Sequence, residues 1–137
     1  FVATKKEQVL KMVEIADIKK GDRVIDLGSG DGRLVIAAAK LGAKSTGVEK
    51  NPFLVLISKI RLKLAKVKAK IILGDIFNQD LQTADVIFLY LNPATLKKLL
   101  PKLKKQTKSG TRIISNRYQI PGWKTSKNFD KIFLYRI

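Results

Sequence analysis

Short runs of consecutive apolar residues alternate along this chain with longer stretches in which apolar residues return every three or four positions. The short runs, at 24–27, 45–49, 70–75, 85–91 and 111–115, are too brief for buried helices and read as strands. The run at 85–91 is the most apolar and is expected at the centre of the sheet. The longer stretches read as helices. In the first, Thr4 and Glu7 stand at capping-box spacing, and Val9, Leu10, Val13 and Ala16 share one face. The second starts at Arg33, is apolar nearly all round, and stops at Leu41-Gly42 with glycine past its end. The third starts at Asn51-Pro52, with asparagine as cap and proline at the first helical position. It is expected to bury Leu54, Val55 and Ile57 or Leu62 while presenting Lys59, Arg61, Lys63, Lys66 and Lys68. The fourth, 93–108, turns Leu96, Leu99, Leu100 and Leu103 inward and is expected to kink or restart at Pro101. After Pro121-Gly122-Trp123, segments 124–129 and 131–137 read as a hairpin that completes the sheet.

Strand alternating with helix implies parallel pairing through right-handed crossovers. The expected fold is therefore α/β: a Rossmann-like, doubly wound, mostly parallel seven-stranded sheet with a C-terminal antiparallel hairpin. With 137 residues, no internal repeat and no linker, 1–137 forms a single domain, an N-terminal helical part at 1–20 followed by the core at 21–137.

Composition narrows the chemistry. The chain has neither cysteine nor histidine. That excludes disulfides, thiolate and imidazole metal sites, Ser-His-Asp triads and the commonest general base. No metal is expected, and any chemistry rests on carboxylates, Tyr, Lys, Asn and backbone groups. The 28 Lys and Arg against 11 Asp and Glu give a formal charge of +17. Such a field attracts nucleic acid, acidic proteins or an anionic membrane surface. Lysine without interleaved aromatics is a poor reader of bases, however, and a merely solvated lysine-rich surface is the alternative. No apolar run is long enough to span a bilayer and no signal peptide is visible, so a cytoplasmic location is expected. The chain opens on Phe1, from which an upstream segment is expected.

The first strand leads into Gly28-Ser29-Gly30-Asp31-Gly32, a turn whose alternate glycines let backbone pass close to a ligand. Free N–H groups of the helix that follows are expected to point there, which suits a carboxylate or phosphate. A dinucleotide fingerprint G-x-G-x-x-G would need a third glycine where Arg33 stands. In a doubly wound sheet the ligand lies beyond the carboxyl ends of the strands. Asp26, Glu49 and Asp75 close the first, second and third strands there. Glu49 is placed to accept from a vicinal diol, as carboxylates do in nucleotide folds. Asp75 is placed to accept from an exocyclic amine, with Ile76 and Phe77 offering apolar surface to a ring. Asp26 is placed to meet an ammonium. Helix capping or loop solvation is the alternative for each acid.

The pattern D-x-G-x-G-x-G resembles the first motif of seven-stranded S-adenosylmethionine-dependent methyltransferases. The runs IDLGSGDGR, GVEKNPFLVLISKIRLKL, LGDIF, VIFLYLNP, GTRIISN and PGW together resemble one branch of them. That branch holds the ATP-synthase c-subunit lysine methyltransferases and small archaeal protein lysine methyltransferases. The resemblance covers nearly the whole chain, and NPFLV and PGW are what point to this branch. It implies S-adenosyl-L-methionine as cofactor, held by Thr4, Asp26, Gly28, Ser29, Gly30, Glu49, Lys50, Asp75, Ile76 and Leu91. It also implies that residues 1–4 fold over the cofactor as a lid, although Ala3 stands where proline is expected. The implied activity is N-methylation of lysine side chains on a protein, with an upstream segment as a route to membrane association.

Tyr90, Leu91 and Asn92, after the fourth strand, are expected to border the transferred methyl. Asn92-Pro93 is a partial match to the N-P-P-aromatic motif of amino-group methyltransferases, whose asparagine accepts from the attacking nitrogen. Here the chain continues Ala94-Thr95, and Asn92 fits a helix cap equally well. Trp123 either walls a lysine channel or packs in the core. Tyr90, Asn92 and Trp123 are thus the catalytic candidates. No insertion is large enough to enclose a small substrate, which suits a macromolecule that brings its own side chain. Protein lysine methylation is the first reading, RNA methylation the second, and a non-catalytic cofactor-binding module the third.

Overall fold

The structure is a computed structural model that describes residues 4–137. Its strands are β1 (Arg23–Leu27), β2 (Lys44–Glu49), β3 (Lys70–Leu73), β4 (Val86–Leu89), β5 (Arg112–Asn116), β6 (Lys127–Phe129) and β7 (Ile132–Arg136). They form one sheet in the order β3-β2-β1-β4-β5-β7-β6. The first five are mutually parallel, and β7 runs antiparallel to β5 and β6. The expected fold class and C-terminal hairpin are therefore both present. β4 is central, and all four of its residues are buried, as its unbroken apolar run requires.

Three helices, α1 (Lys6–Ala16), α2 (Arg33–Lys40) and α3 (Pro52–Ala65), cover one face of the sheet. α4 (Pro93–Gln106) and a 3-10 turn at Ile76–Asn78 cover the other. Phe88 and Ile114 point to the first face, and Ile87 and Ile113 to the second, the period-2 alternation of a sheet buried on both sides. No helix among the described residues is long and apolar enough to cross a membrane.

Several expectations need correction. α1 starts at Lys6 with Lys5 as its N-cap, not Thr4, because the Gln8 side chain reaches back to accept from the Lys5 N–H at 3.3 Å. Its buried face is Val9, Met12, Val13 and Ala16, while Leu10 is 55% exposed. Those four positions follow the i, i+3, i+4, i+7 rule, and position 10 lies off that stripe. α4 does not restart at Pro101 but runs through it to Gln106. Pro101, Lys97 and Lys98 are exposed, so the hydrogen bond that proline cannot make is lost on a wet face. In α3 the asparagine cap is present, with Asn51 Oδ1 accepting from Phe53 N–H at 2.9 Å. The buried set there includes Ser58 and Leu62, not Ile57.

Candidate active site

The carboxyl ends of β1 and β2 and the start of α2 enclose a cleft of about 280 Å³. Its floor is Asp26, Gly28, Ser29 and Glu49, and Thr4, Lys50 and Tyr90 reach its rim. Seven of the residues expected at the site thus meet in one place. Gly30 belongs to the same turn, and its N–H donates to Glu49 Oε1 at 2.9 Å. Leu91 lies over the turn, its Cδ2 about 3.5 Å from where a Cβ on Gly28 would stand. Phe1, Val2 and Ala3, expected as a lid, lie outside the described residues.

The turn's own amides are engaged before the helix begins at Arg33. Gly28 and Ser29 donate their N–H groups to the Val48 carbonyl at 2.8 and 3.0 Å, and Gly32 donates to Ser29 at 3.0 Å. With Gly30 bound to Glu49, the amides of these four turn residues are spent inside the protein. Gly28, Gly30 and Gly32 all have positive φ, which a side chain would strain. The turn is also pinned from behind, since Ser58 Oγ donates to the Gly30 carbonyl at 2.8 Å. Gly47 on β2 completes the fit, because a Cβ there would stand 2.6 Å from Ser29 Oγ and 2.8 Å from Val35.

The buried charges of the cleft are acidic, while Arg33 and Lys50 line it farther out. Glu49 is buried and bridges two elements, accepting from Gly30 N–H through Oε1 and from Asn51 N–H through Oε2, each at 2.9 Å. Asp26 is 4% exposed. Burial, reinforced by the Glu49 charge, pushes its carboxyl up to about 7. No ion pair among the described residues engages either acid. The Ser29 hydroxyl is buried and lacks a partner among the described residues. A buried carboxyl pair beside an orphan hydroxyl suits a ligand with positive charge and hydroxyl groups, and it repels a phosphate.

Arg33, whose identity rules out the dinucleotide pattern, turns out to tie the rim together. It donates through Nε to Asp31 at 2.9 Å and through Nη1 to the Thr4 carbonyl at 3.0 Å, joining the start of α2 to the segment before α1. Asp75 and Ile76 do not line the cleft. Asp75 is exposed, and its Oδ1 accepts from Phe77 N–H at 2.9 Å, capping the 3-10 turn.

Of the expected acceptor residues, Tyr90 and Asn92 follow β4, whereas Trp123 lies between β5 and β6. Only Tyr90 lines the cleft. Asn92 is exposed and caps α4, its Oδ1 accepting from Thr95 N–H at 2.9 Å. Trp123 packs edge-on against Tyr135, with ring centroids 6.1 Å apart, and joins the core on the α4 face. Two neighbours escaped the sequence reading. Asn116 is buried with neither side-chain polar atom partnered among the described residues. It follows Ser115 in β5 as Tyr90 follows Leu89 in β4, and Ser115 and Leu89 are in register. Arg117, at a left-handed φ of 73°, has its guanidinium pKa raised chiefly by Tyr90. A buried, unpaired asparagine shows only once the strand's neighbours are known, so no sequence signal marks it.

Residues 26–127 match the family model described as the ANTKMT methyltransferase domain. A protein-lysine N-methyltransferase of Saccharolobus islandicus is 38% identical, over 90% of this chain and 79% of its own length. An ATP synthase c-subunit lysine N-methyltransferase of Mus musculus is 33% identical over 98% of this chain, which spans 57% of that relative. Among solved structures, an RNA methyltransferase from Salinibacter ruber in complex with S-adenosyl-L-homocysteine superposes with a TM-score of 0.92 at 37% identity. That match covers 98% of this chain and 92% of the other.

Proposed function

The chain belongs to the ANTKMT methyltransferase domain family, and on that premise we propose that it transfers the methyl group of S-adenosyl-L-methionine to lysine amines presented by protein substrates. The observation that carries this reading is the acidic floor of the cleft in a chain of net charge +17. The cofactor's ammonium and sulfonium supply the positive charge that Asp26 and Glu49 lack. Asp26 holds the ammonium. A carboxylate has about four acceptor sites, and the two that Glu49 spends on Gly30 and Asn51 leave others for ribose hydroxyls. Ser29 and Lys50 border that subsite, and Leu91 closes over Gly28. Outside the cleft itself, the Asp75 oxygen that does not cap the 3-10 turn would receive the adenine, with Ile76 and Phe77 beside it.

When bound, S-adenosyl-L-methionine supplies an electrophilic methyl. The acceptor amine must arrive neutral and in line with the bond that breaks. At pH 7 only about one free lysine in 10³ is neutral. The chain has no histidine to take the proton, so the amine would lose it to water before transfer. The nitrogen–methyl bond would form as the sulfur–methyl bond breaks, its electron pair staying on the sulfur of the departing S-adenosyl-L-homocysteine.

The lysine acceptor is supported by the activities for which the Saccharolobus and mouse relatives are named. A second reading, RNA methylation, is favoured by the Salinibacter structure and by the basic surface. Incubating the chain with methyl-labelled cofactor and either a protein mixture or an RNA pool separates them. Mass spectrometry should find methyl groups on lysine. Label on nucleosides with none on lysine overturns the lysine reading, and cofactor binding without transfer to either identifies a non-catalytic module.

A further inference from the structure

α3 is apolar on two opposite sides. Leu54, Val55, Ser58 and Leu62 face the sheet. At 3.6 residues per turn, Phe53, Leu56, Ile60 and Leu64 fall on the far side as a second stripe. They are 68%, 56%, 51% and 78% exposed. Single exposed leucines are ordinary, but four large ones aligned along one helix make a face that calls for a cover. The seams between the two stripes are cationic, with Lys59 and Lys63 along one edge and Arg61 along the other, all exposed. Every charged residue between Glu49 and Asp75 is Lys or Arg. Arg61 also borders a groove of about 530 Å³ between α1 and α2, and each charged residue lining that groove is again a cation: Lys6, Arg33, Lys40 and Arg61.

We infer that the outer face of α3 docks on an anionic lipid bilayer, with its four apolar side chains in the headgroup–acyl boundary and the flanking lysines and Arg61 on lipid phosphates. The shape favours a deformable, extended partner. The stripe is the convex outside of a helix, whereas a peptide that recognises apolar side chains needs a groove to enter. Long cationic side chains lay their stems along such a stripe and send their charges to the headgroups. A second copy of the chain is disfavoured, because its own cationic seams would oppose these. The start of α3 is also the wall of the cleft, through Asn51 and Leu54. Docking along α3 therefore brings the cleft close to the bilayer surface.

Flotation of the full chain with vesicles tests this. It should bind phosphatidylcholine vesicles doped with phosphatidylglycerol, bind pure phosphatidylcholine weakly, and lose binding as salt rises. Leu56→Ser, Ile60→Ser and Leu64→Ser together remove only exposed side chains and should leave the circular dichroism and cofactor affinity unchanged. They should weaken anionic vesicle binding by about tenfold or more. Lys59→Gln with Lys63→Gln should weaken it too, whereas Lys97→Gln with Lys98→Gln on α4 should do so far less. Full binding by the triple serine variant overturns the inference, as does indifference to the α3 charges. Sedimentation showing a dimer that the serine variant dissolves assigns the stripe to a second copy. Retention on an immobilised acidic peptide, without vesicle binding, assigns it to a protein partner.

Discussion

The ends of β1 and β2 and the ends of β4 and β5 belong to one sheet, yet they are held by different means. At the first pair, backbone and buried side chains lock the turn from every side: Val48, Glu49 and Ser58 each hold it by hydrogen bond, and Gly47 leaves it room. At the second pair, Asn92 is an exposed cap and Asn116 has no side-chain partner among the described residues. The cofactor half must present a single geometry to an unchanging ligand. The acceptor half must admit a side chain from outside, and unmade hydrogen bonds leave it capacity to do so.

The sharpest way to break this contrast is Glu49→Ala. It removes two charge-assisted hydrogen bonds, each worth about 1.5–3 kcal/mol, and unties the turn from the start of α3. Urea denaturation should show a loss of about 3 kcal/mol or more, and calorimetry should show cofactor affinity falling further than acceptor KM. An unchanged denaturation midpoint would mean that the turn is not held through Glu49.

The two halves should also separate by pH. Asp26 titrates near 7 when folded, above the usual carboxylate value. The folded state therefore holds its proton where the unfolded state has lost it. Stability of the cofactor-free protein should fall as pH rises from about 4 to 7 through this group, by about 2–4 kcal/mol at most, and then level. Asp26→Asn should flatten that fall and raise the melting temperature at pH 8, while weakening cofactor binding. In the unsubstituted protein, cofactor affinity should climb toward pH 7 and then plateau as Asp26 becomes charged. Transfer to lysine should keep climbing, about tenfold per unit between pH 7 and 9, because the amine is still protonated there. A common pH profile for both quantities would erase the distinction.

The smallest effect belongs to Asn92. Asn92→Ala should cost about 1 kcal/mol through the lost cap of α4, and Asn92→Asp should restore most of it. Transfer rates should stay within a few-fold in both. A loss of about 100-fold in Asn92→Asp at unchanged stability would move Asn92 from the helix to the acceptor amine.

The order of strands and helices was legible because each element carries its own period, and Asn51-Pro52 marked its helix start without help from the fold. Asp26 and Glu49 were legible as strand-end acids that meet in one cleft. The turn's internal hydrogen bonds were not, since they depend on Val48 and Ser58 arriving from other elements. Gly47 left only a faint trace, a glycine inside a strand, whose reason is the Ser29 side chain across the turn. Thr4 looked like a cap by spacing, but its carbonyl is held by Arg33 and the helix begins beyond it. At Pro101, local propensity pointed to a kink or a restart, and the burial of Leu96, Leu99 and Leu103 held one continuous helix together.

Trp123 is the chain's sole indole, and it sits half-buried against Tyr135, away from the cleft. Light absorbed at the red edge of the ultraviolet band is therefore emitted from one known spot. The molecule has a built-in optical reporter on the α4 side of the core, and its colour and brightness follow wetting and ring contact beside Tyr135. Loosening of that edge of the core can thus be watched in real time with no dye attached.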